Sequence, residues 1–199
     1  MARSQPLMDQ LAELVRVLEE GGVVACPTET WLGFLADARN EAAVERVARL
    51  KGRPADMPIA LLLPSAESIE EVASAPSPAA RDLMKAHWPG PLTILLMARP
   101  GLSARLSRDG RVGVRVPGPS PAADLVRAFD GPLTATSANK TGEPPLRSVS
   151  ELTPELRAGL GGMVAGVSPG GAPSTLIDST RTPMEILRAG AIEIDPAAL

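Results

Sequence analysis

The sequence predicts an α/β domain in which a sheet of mixed parallel and antiparallel strands is flanked by helices. Two patterns predict it. From residue 7 to residue 136, short apolar runs alternate with segments of helical period, the order of strands and the helices that cover them. In the C-terminal third the pattern shifts to short strands set off by the glycine pairs Gly161-Gly162 and Gly170-Gly171, which predicts local antiparallel pairing. With 199 residues, about 44% of them apolar, the chain can bury one core, so a single domain over 1–199 is expected.

The elements follow in order. Leu7, Leu11, Leu14, Val15 and Leu18 recur at helical spacing, and Gly21-Gly22 stops that helix. A buried strand over 23–26 ends at Pro27 in the polar turn Pro27-Thr28-Glu29-Thr30. Asn40 is a candidate N-cap for a helix whose apolar face carries Val44, Val47 and Leu50, and which ends near Gly52 and Pro54. A strand at 59–63, helices near 66–73 and 78–86, and a strand at 92–97 come next. Ser77-Pro78 and Ser120-Pro121 both read as helix starts, with serine as N-cap and proline at the first helical position. Strands at 112–116 and 133–136 flank the second of these, and short strands near 163–167, 174–178 and 185–188 close the chain.

Composition excludes several functions. The apolar run 92–98 falls far short of the roughly 20 residues that cross a bilayer. The N-terminus lacks an apolar stretch followed by a small-residue cleavage site. One cysteine, Cys26, forms no internal disulfide and anchors no zinc site, which points to a soluble protein of the reducing cytoplasm. His87 is the only histidine, so a histidine-based nucleophilic device is not expected. The net charge of −3 argues against a generally basic surface. Between residues 81 and 115, however, seven cations face only Asp82 and Asp109, a stretch that could form a local positive face.

The phosphate-binding signatures G-x-x-x-x-G-K-[ST] and G-x-G-x-x-G are absent. What remains are polar clusters at strand ends, where open α/β sheets bind ligands. Thr28, Glu29 and Thr30 could meet a small polar substrate, or simply cap a turn. Lys51 and Arg53 flank Gly52, converging on an anion or complementing a helix C-terminus. Arg115 interrupts an apolar strand, where a charge is costly unless it is paired or faces a cleft. Ser137 and Asn139 end another strand with groups suited to phosphate oxygens.

Seven strings in order, PTET, KGRP, HWPGPLTILL, VGVRVP, TSANKTGEPP, PSTLID and EILRAGAI, run from Pro27 to Ile192. Together they resemble the YrdC/Sua5 family of threonylcarbamoyl-adenylate synthases. The resemblance implies a twisted sheet with a concave, cationic groove that condenses L-threonine, bicarbonate and ATP into threonylcarbamoyl-AMP and pyrophosphate. The product would serve tRNA modification beside the anticodon through a downstream threonylcarbamoyl transferase complex.

Carried onto this chain, Thr28, Thr30, Arg115, Ala135 and Ser174 would hold threonine. Lys51, Arg53, Ser137, Asn139 and Arg188 would hold ATP, with Lys51, Arg53 and Arg115 carrying the catalytic charge. Magnesium is expected to share that work, without a protein-held metal site. The chain departs from the family pattern at Leu32, Met57, Leu62, Arg111, Pro119 and Pro145, where polar residues or threonine are usual. Those departures leave open an adenylating enzyme with another substrate. A further alternative is a double-stranded RNA or ribosome-associated role for the same groove, with binding that weakens as salt rises.

Overall fold

The computed structural model describes residues 5–195, so the two ends of the domain expected over 1–199 fall outside it, as do the side chains of 5–7, Leu7 among them. Five helices and ten strands are described. The helices are α1 Gln5–Glu19, α2 Glu41–Lys51, α3 Pro78–His87, α4 Pro121–Phe129 and α5 Pro154–Ala158. The strands are β1 Val24–Pro27, β2 Leu32–Leu35, β3 Ala60–Leu62, β4 Leu92–Met97, β5 Ser107–Arg108, β6 Arg111–Arg115, β7 Leu133–Ser137, β8 Gly162–Met163, β9 Thr175–Asp178 and β10 Glu185–Arg188.

Local signals account for the helix ends. Asn40 Oδ1 accepts the Ala43 N–H at 3.2 Å, and Gly52 closes α2 in the left-handed region at φ 59°. Ser77 and Ser120 cap α3 and α4 in the same way, each followed by proline. Thr153-Pro154 repeats the device at α5, a short helix absent from the sequence reading. The helix expected near 66–73 is a 3₁₀ turn, Glu67–Glu71.

The strands form one continuous sheet in the order β10-β9-β4-β6-β3-β7-β2-β1-β8, with β5 hairpinned onto β6. β3 runs parallel to β6, β4 to β9 and β1 to β8, while the other pairs are antiparallel. The expected antiparallel pairing in the C-terminal third is that of β9 with β10. β2 was not anticipated. Its fully buried LGFL run has no alternation to read, and the PTET turn is the bend of a β1–β2 hairpin rather than the end of a lone strand.

Each face of the sheet has its own cover. Val44 and Val47 of α2 and Met84 of α3 pack with Phe34, Leu61, Ile94, Val112 and Val114 on one side. Leu14 and Leu18 of α1, with Leu125 and Val126 of α4, pack with Val24, Cys26, Leu35 and Leu62 on the other. Cys26 is fully buried there, and burial pushes its thiol up, so it is no nucleophile. On this second face the helices cover β1 and reach Leu35 of β2, Leu62 of β3 and Leu133 of β7; from Gly33 of β2 across to Leu176 of β9 the face borders a cavity. Among the described residues no helix is long and apolar enough to cross a membrane.

Candidate ligand-binding site

Side chains alternate from face to face along a strand. That period sets Gly33 and Leu35 of β2, Ala60 and Leu62 of β3, Thr93 and Leu95 of β4, Gly113 and Arg115 of β6, and Ala135 and Ser137 of β7 on the open face. With Leu176 of β9 and Arg188 of β10 they line a cavity of about 570 Å³, within the roughly 300–1,000 Å³ usual for small-ligand sites. Small residues make the floor concave. At Gly113 an added Cβ would stand 3.3 Å from Ala60, Leu95 and Thr93 side-chain atoms at once.

The 28–31 turn forms one wall. Thr28 Oγ1 accepts the N–H groups of Thr30 and Trp31, each at 3.1 Å, and donates to the Trp31 carbonyl at 2.7 Å. Its hydroxyl therefore closes the turn, the plainer of the two readings, and presents Thr30 beside it. Arg115 is buried on this wall, with Nη1 2.9 Å from Glu29 Oε1 and side-chain exposures of 8% and 10%. The pair is close enough for charge attraction but misaligned for hydrogen bonding, leaving Arg115 Nη1 and both Glu29 oxygens buried without a hydrogen-bond partner. Burial pulls the Arg115 guanidinium below its usual range, and the Glu29 charge opposes that pull.

Arg53 and Ser137 line the cavity as well, Ser137 paired across the sheet with Gly33. Arg53 braces the wall by donating to the carbonyls of Met57 at 2.8 Å and Pro58 at 2.7 Å, and burial lowers its pKa. Ser137 Oγ makes no hydrogen bond among the described residues. Arg188 donates twice to the Ser174 carbonyl, at 3.0 and 2.8 Å, and once to Ser174 Oγ, which pairs with Thr93 Oγ1 at 2.9 Å. Burial and the neighbouring Arg115 charge both lower the Arg188 pKa. Arg188, expected at the nucleotide, thus stands next to Ser174 and Arg115, both expected at threonine.

Eight of the ten expected site residues line the cavity: Thr28, Thr30, Arg53, Arg115, Ala135, Ser137, Ser174 and Arg188. Lys51 and Asn139, also expected at the ATP phosphates, are not among the lining residues. The Lys51 ammonium, only 2% exposed, lies behind the 137–139 loop. It donates to the Ser137 carbonyl, to Asn139 O at 2.8 Å and to Asn139 Oδ1 at 3.3 Å. Asn139 Nδ2 spans the loop to Lys140 O and Glu143 O, at 2.9 and 2.7 Å. Burial first, and Arg53 second, bring the Lys51 pKa down to about 8.

The cationic stretch 81–115 does not gather into one face either. Arg105 pairs with Glu45, Arg108 with Asp109 and Arg111 with Asp178, and Arg115 alone of the seven reaches the cavity. Of the six departures, Leu32, Leu62 and Pro145 line the cavity and make its wall more apolar, while Met57, Arg111 and Pro119 stand off it. The sequence reading missed Thr93 and Gly113. A glycine inside an apolar strand marks a close approach and was the available signal.

The arrangement joins the buried Arg115, the half-buried Arg53 and the exposed Arg188 with hydroxyls and a concave apolar floor, a combination suited to binding carboxylate and phosphate in one pocket. Comparison with known proteins agrees. A family model described as "Telomere recombination", spanning Sua5, YciO and YrdC proteins, matches residues 16–190. The threonylcarbamoyl-AMP synthase of Bacillus subtilis is 34% identical over 186 residues, covering 92% of this chain and 54% of the relative. That of Thiobacillus denitrificans is 37% identical over 163 residues, covering 81% and 86%. Pyrococcus abyssi Sua5, solved with L-threonine, shares 32% identity at a TM-score of 0.88, over 96% of this chain and 56% of that one. Escherichia coli YciO shares the fold, with a TM-score of 0.85 at 24% identity over 98% and 94%. The chain spans about half the length of the Bacillus and Pyrococcus relatives. With residues 16–190 matched by one family model and the fold shared with solved members of that family, the chain belongs to the Sua5/YciO/YrdC family.

Proposed function

We propose that the chain condenses L-threonine, bicarbonate and ATP into threonylcarbamoyl-AMP and pyrophosphate. The observation that carries this reading is Arg115: a guanidinium buried at the cavity wall, making no hydrogen bond to another described residue, suits a bidentate carboxylate. The relatives named as threonylcarbamoyl-AMP synthases, and the Sua5 solved with L-threonine, support it.

In this reading Arg115 takes the amino-acid carboxylate, and Thr30 and Ser174 offer hydroxyls to its polar groups. The threonine nitrogen forms a bond to the bicarbonate carbon as the C–OH bond breaks and the hydroxide leaves as water with the nitrogen's proton, and a carbamate oxygen then attacks the α-phosphorus as the bridging oxygen departs with pyrophosphate. Arg53 and Ser137 receive the phosphates, with Lys51 and Asn139 acting from behind by holding the 137–139 loop. Arg188 adds charge where the two substrates meet. The residues lining the cavity include no histidine and no carboxylate, so they act by positioning and by neutralising charge rather than by proton transfer. Among the described residues no three metal-ligating side chains converge, so no resident ion is assigned and magnesium would arrive on the nucleotide. The adenylate would pass to a transferase that modifies tRNA.

Pyrophosphate release from ATP tests the reading. It should require L-threonine and bicarbonate together and stop when either is left out. Release that ignores both, or that another amino acid drives better, would point to the adenylating enzyme of different substrate.

A further inference from the structure

Glu29 is a charged group beside the site that the proposed function leaves unused. It is not among the residues lining the cavity; both its carboxylate oxygens are buried without a hydrogen-bond partner, and Oε1 stands 2.9 Å from Arg115 Nη1. Two features fix it there. The backbone of its turn is locked by the Thr28 hydroxyl bonds to residues 30 and 31. Its stem fills the space over Gly118, where a Cβ would stand 3.3 Å from Glu29 Cγ and 3.6 Å from its Cβ.

We propose that Glu29 is a positioning residue, which holds the Arg115 guanidinium toward the cavity by charge from behind and so pre-sets the carboxylate clamp. This rests on the reading that Arg115 receives the amino-acid carboxylate. Two physical consequences follow from the geometry. An arginine with no neighbour must give up rotamer freedom when its ligand arrives, and a fixed counter-ion 2.9 Å away removes part of that cost beforehand. Arg115 and Arg188 also lie near enough to repel, and the Glu29 charge offsets that repulsion while the cavity holds no anion. A bidentate Glu29–Arg115 pair would compete with the incoming carboxylate. The misaligned pair seen here attracts without spending the guanidinium's donors.

The test compares Glu29→Gln, Arg115→Gln, which removes the cation, and the double variant by steady-state kinetics of pyrophosphate release. Loss of one charge-assisted contact is expected to raise the threonine KM about tenfold in Glu29→Gln, with the ATP KM changed less than about twofold. If Glu29 acts through Arg115, the double variant loses no more threonine affinity than Arg115→Gln alone, whereas a general structural role gives additive losses and overturns the proposal. An unchanged threonine KM in Glu29→Gln overturns it equally. Should Glu29→Gln fail to fold, Glu29→Asp keeps the charge at shorter reach and is expected to give an intermediate KM; a wild-type value there counts against the role.

A ligand-free arm separates this proposal from the function it rests on. The Arg115 Nε–Hε signal in ¹⁵N NMR should exchange with water faster in the variant than in the native chain. If the native chain shows no threonine dependence, the proposed function fails and this signal alone decides the role of Glu29, an identical exchange rate overturning it.

Discussion

At Gly113 the absence of a side chain is what makes room. The floor there is met by Ala60, Leu95 and Thr93 from both flanking strands, all within 3.3 Å of a hypothetical Cβ. Gly113→Val should therefore destabilise the fold by about 1–3 kcal/mol through overpacking, and its branches should fill the cavity and remove ligand binding. A thermal melt beside an ATP and threonine titration checks both; binding kept at native strength would mean that the ligand lies elsewhere. Residue type alone singled out Arg115, because a charge in the run Val112-Gly113-Val114-Arg115-Val116 needs an anion. The direction in which Lys51 and Asn139 point was not legible. Both types suit a phosphate, and only the packing of α2 against the end of β7 turns them toward carbonyls instead.

The element that organises the proposed phosphate half is the 137–139 loop at the end of β7, and Lys51 at the end of α2 ties the two together. Lys51→Met should cost about 2–4 kcal/mol, since it leaves loop carbonyls without a donor, and should weaken ATP binding while sparing threonine. Its pH dependence has a definite sign. With a folded pKa of about 8 against an ordinary 10.5, the native chain releases this proton before the unfolded one does. The cost of burying the charge is complete below pH 8 and is relieved as pH rises toward 10.5, so Lys51 makes stability increase across that window. Urea midpoints across it should rise more in the native chain than in Lys51→Met, and equal slopes would contradict the assignment.

A second clip joins β6 to β9 beyond β4. Buried Asp178 receives Arg111 at 2.6 Å and the Thr180 N–H and hydroxyl at 3.0 and 2.6 Å. Burial alone would raise its pKa, but these bonds and the Arg111 charge outweigh it and hold the carboxyl below its usual range. Its stabilisation is present above the ordinary carboxylate value and is lost as pH falls through the lowered one. Asp178→Asn should cost about 2–4 kcal/mol and flatten the acid limb of the stability curve, without changing ligand affinity. These elements were partly legible. The Ser-Pro starts of α3 and α4 could be read directly, while β2 and β5 could not, since runs of four and two residues carry no period.

For the whole molecule, the governing fact is an open sheet with one face only partly covered. α1 and α4 pack over β1, Leu35 of β2, Leu62 of β3 and Leu133 of β7, and the face from Gly33 of β2 across to Leu176 of β9 becomes the cavity. Alternation of strands and helices made the fold class readable. The cavity itself depends on register, which brings Ala60 opposite Ala135 and Leu95 opposite Gly113 from segments far apart in the chain. No local pattern encodes that pairing, so the ordered strings pointed to the site before any single one of them explained it. The central claim is that this face holds an amino acid by its carboxylate on Arg115. A crystal structure of the chain grown with L-threonine tests it most directly. The threonine carboxylate is expected to be hydrogen-bonded to the Arg115 guanidinium, with Glu29 still beside it; threonine bound away from Arg115, or an empty cavity at saturating threonine, rules this out.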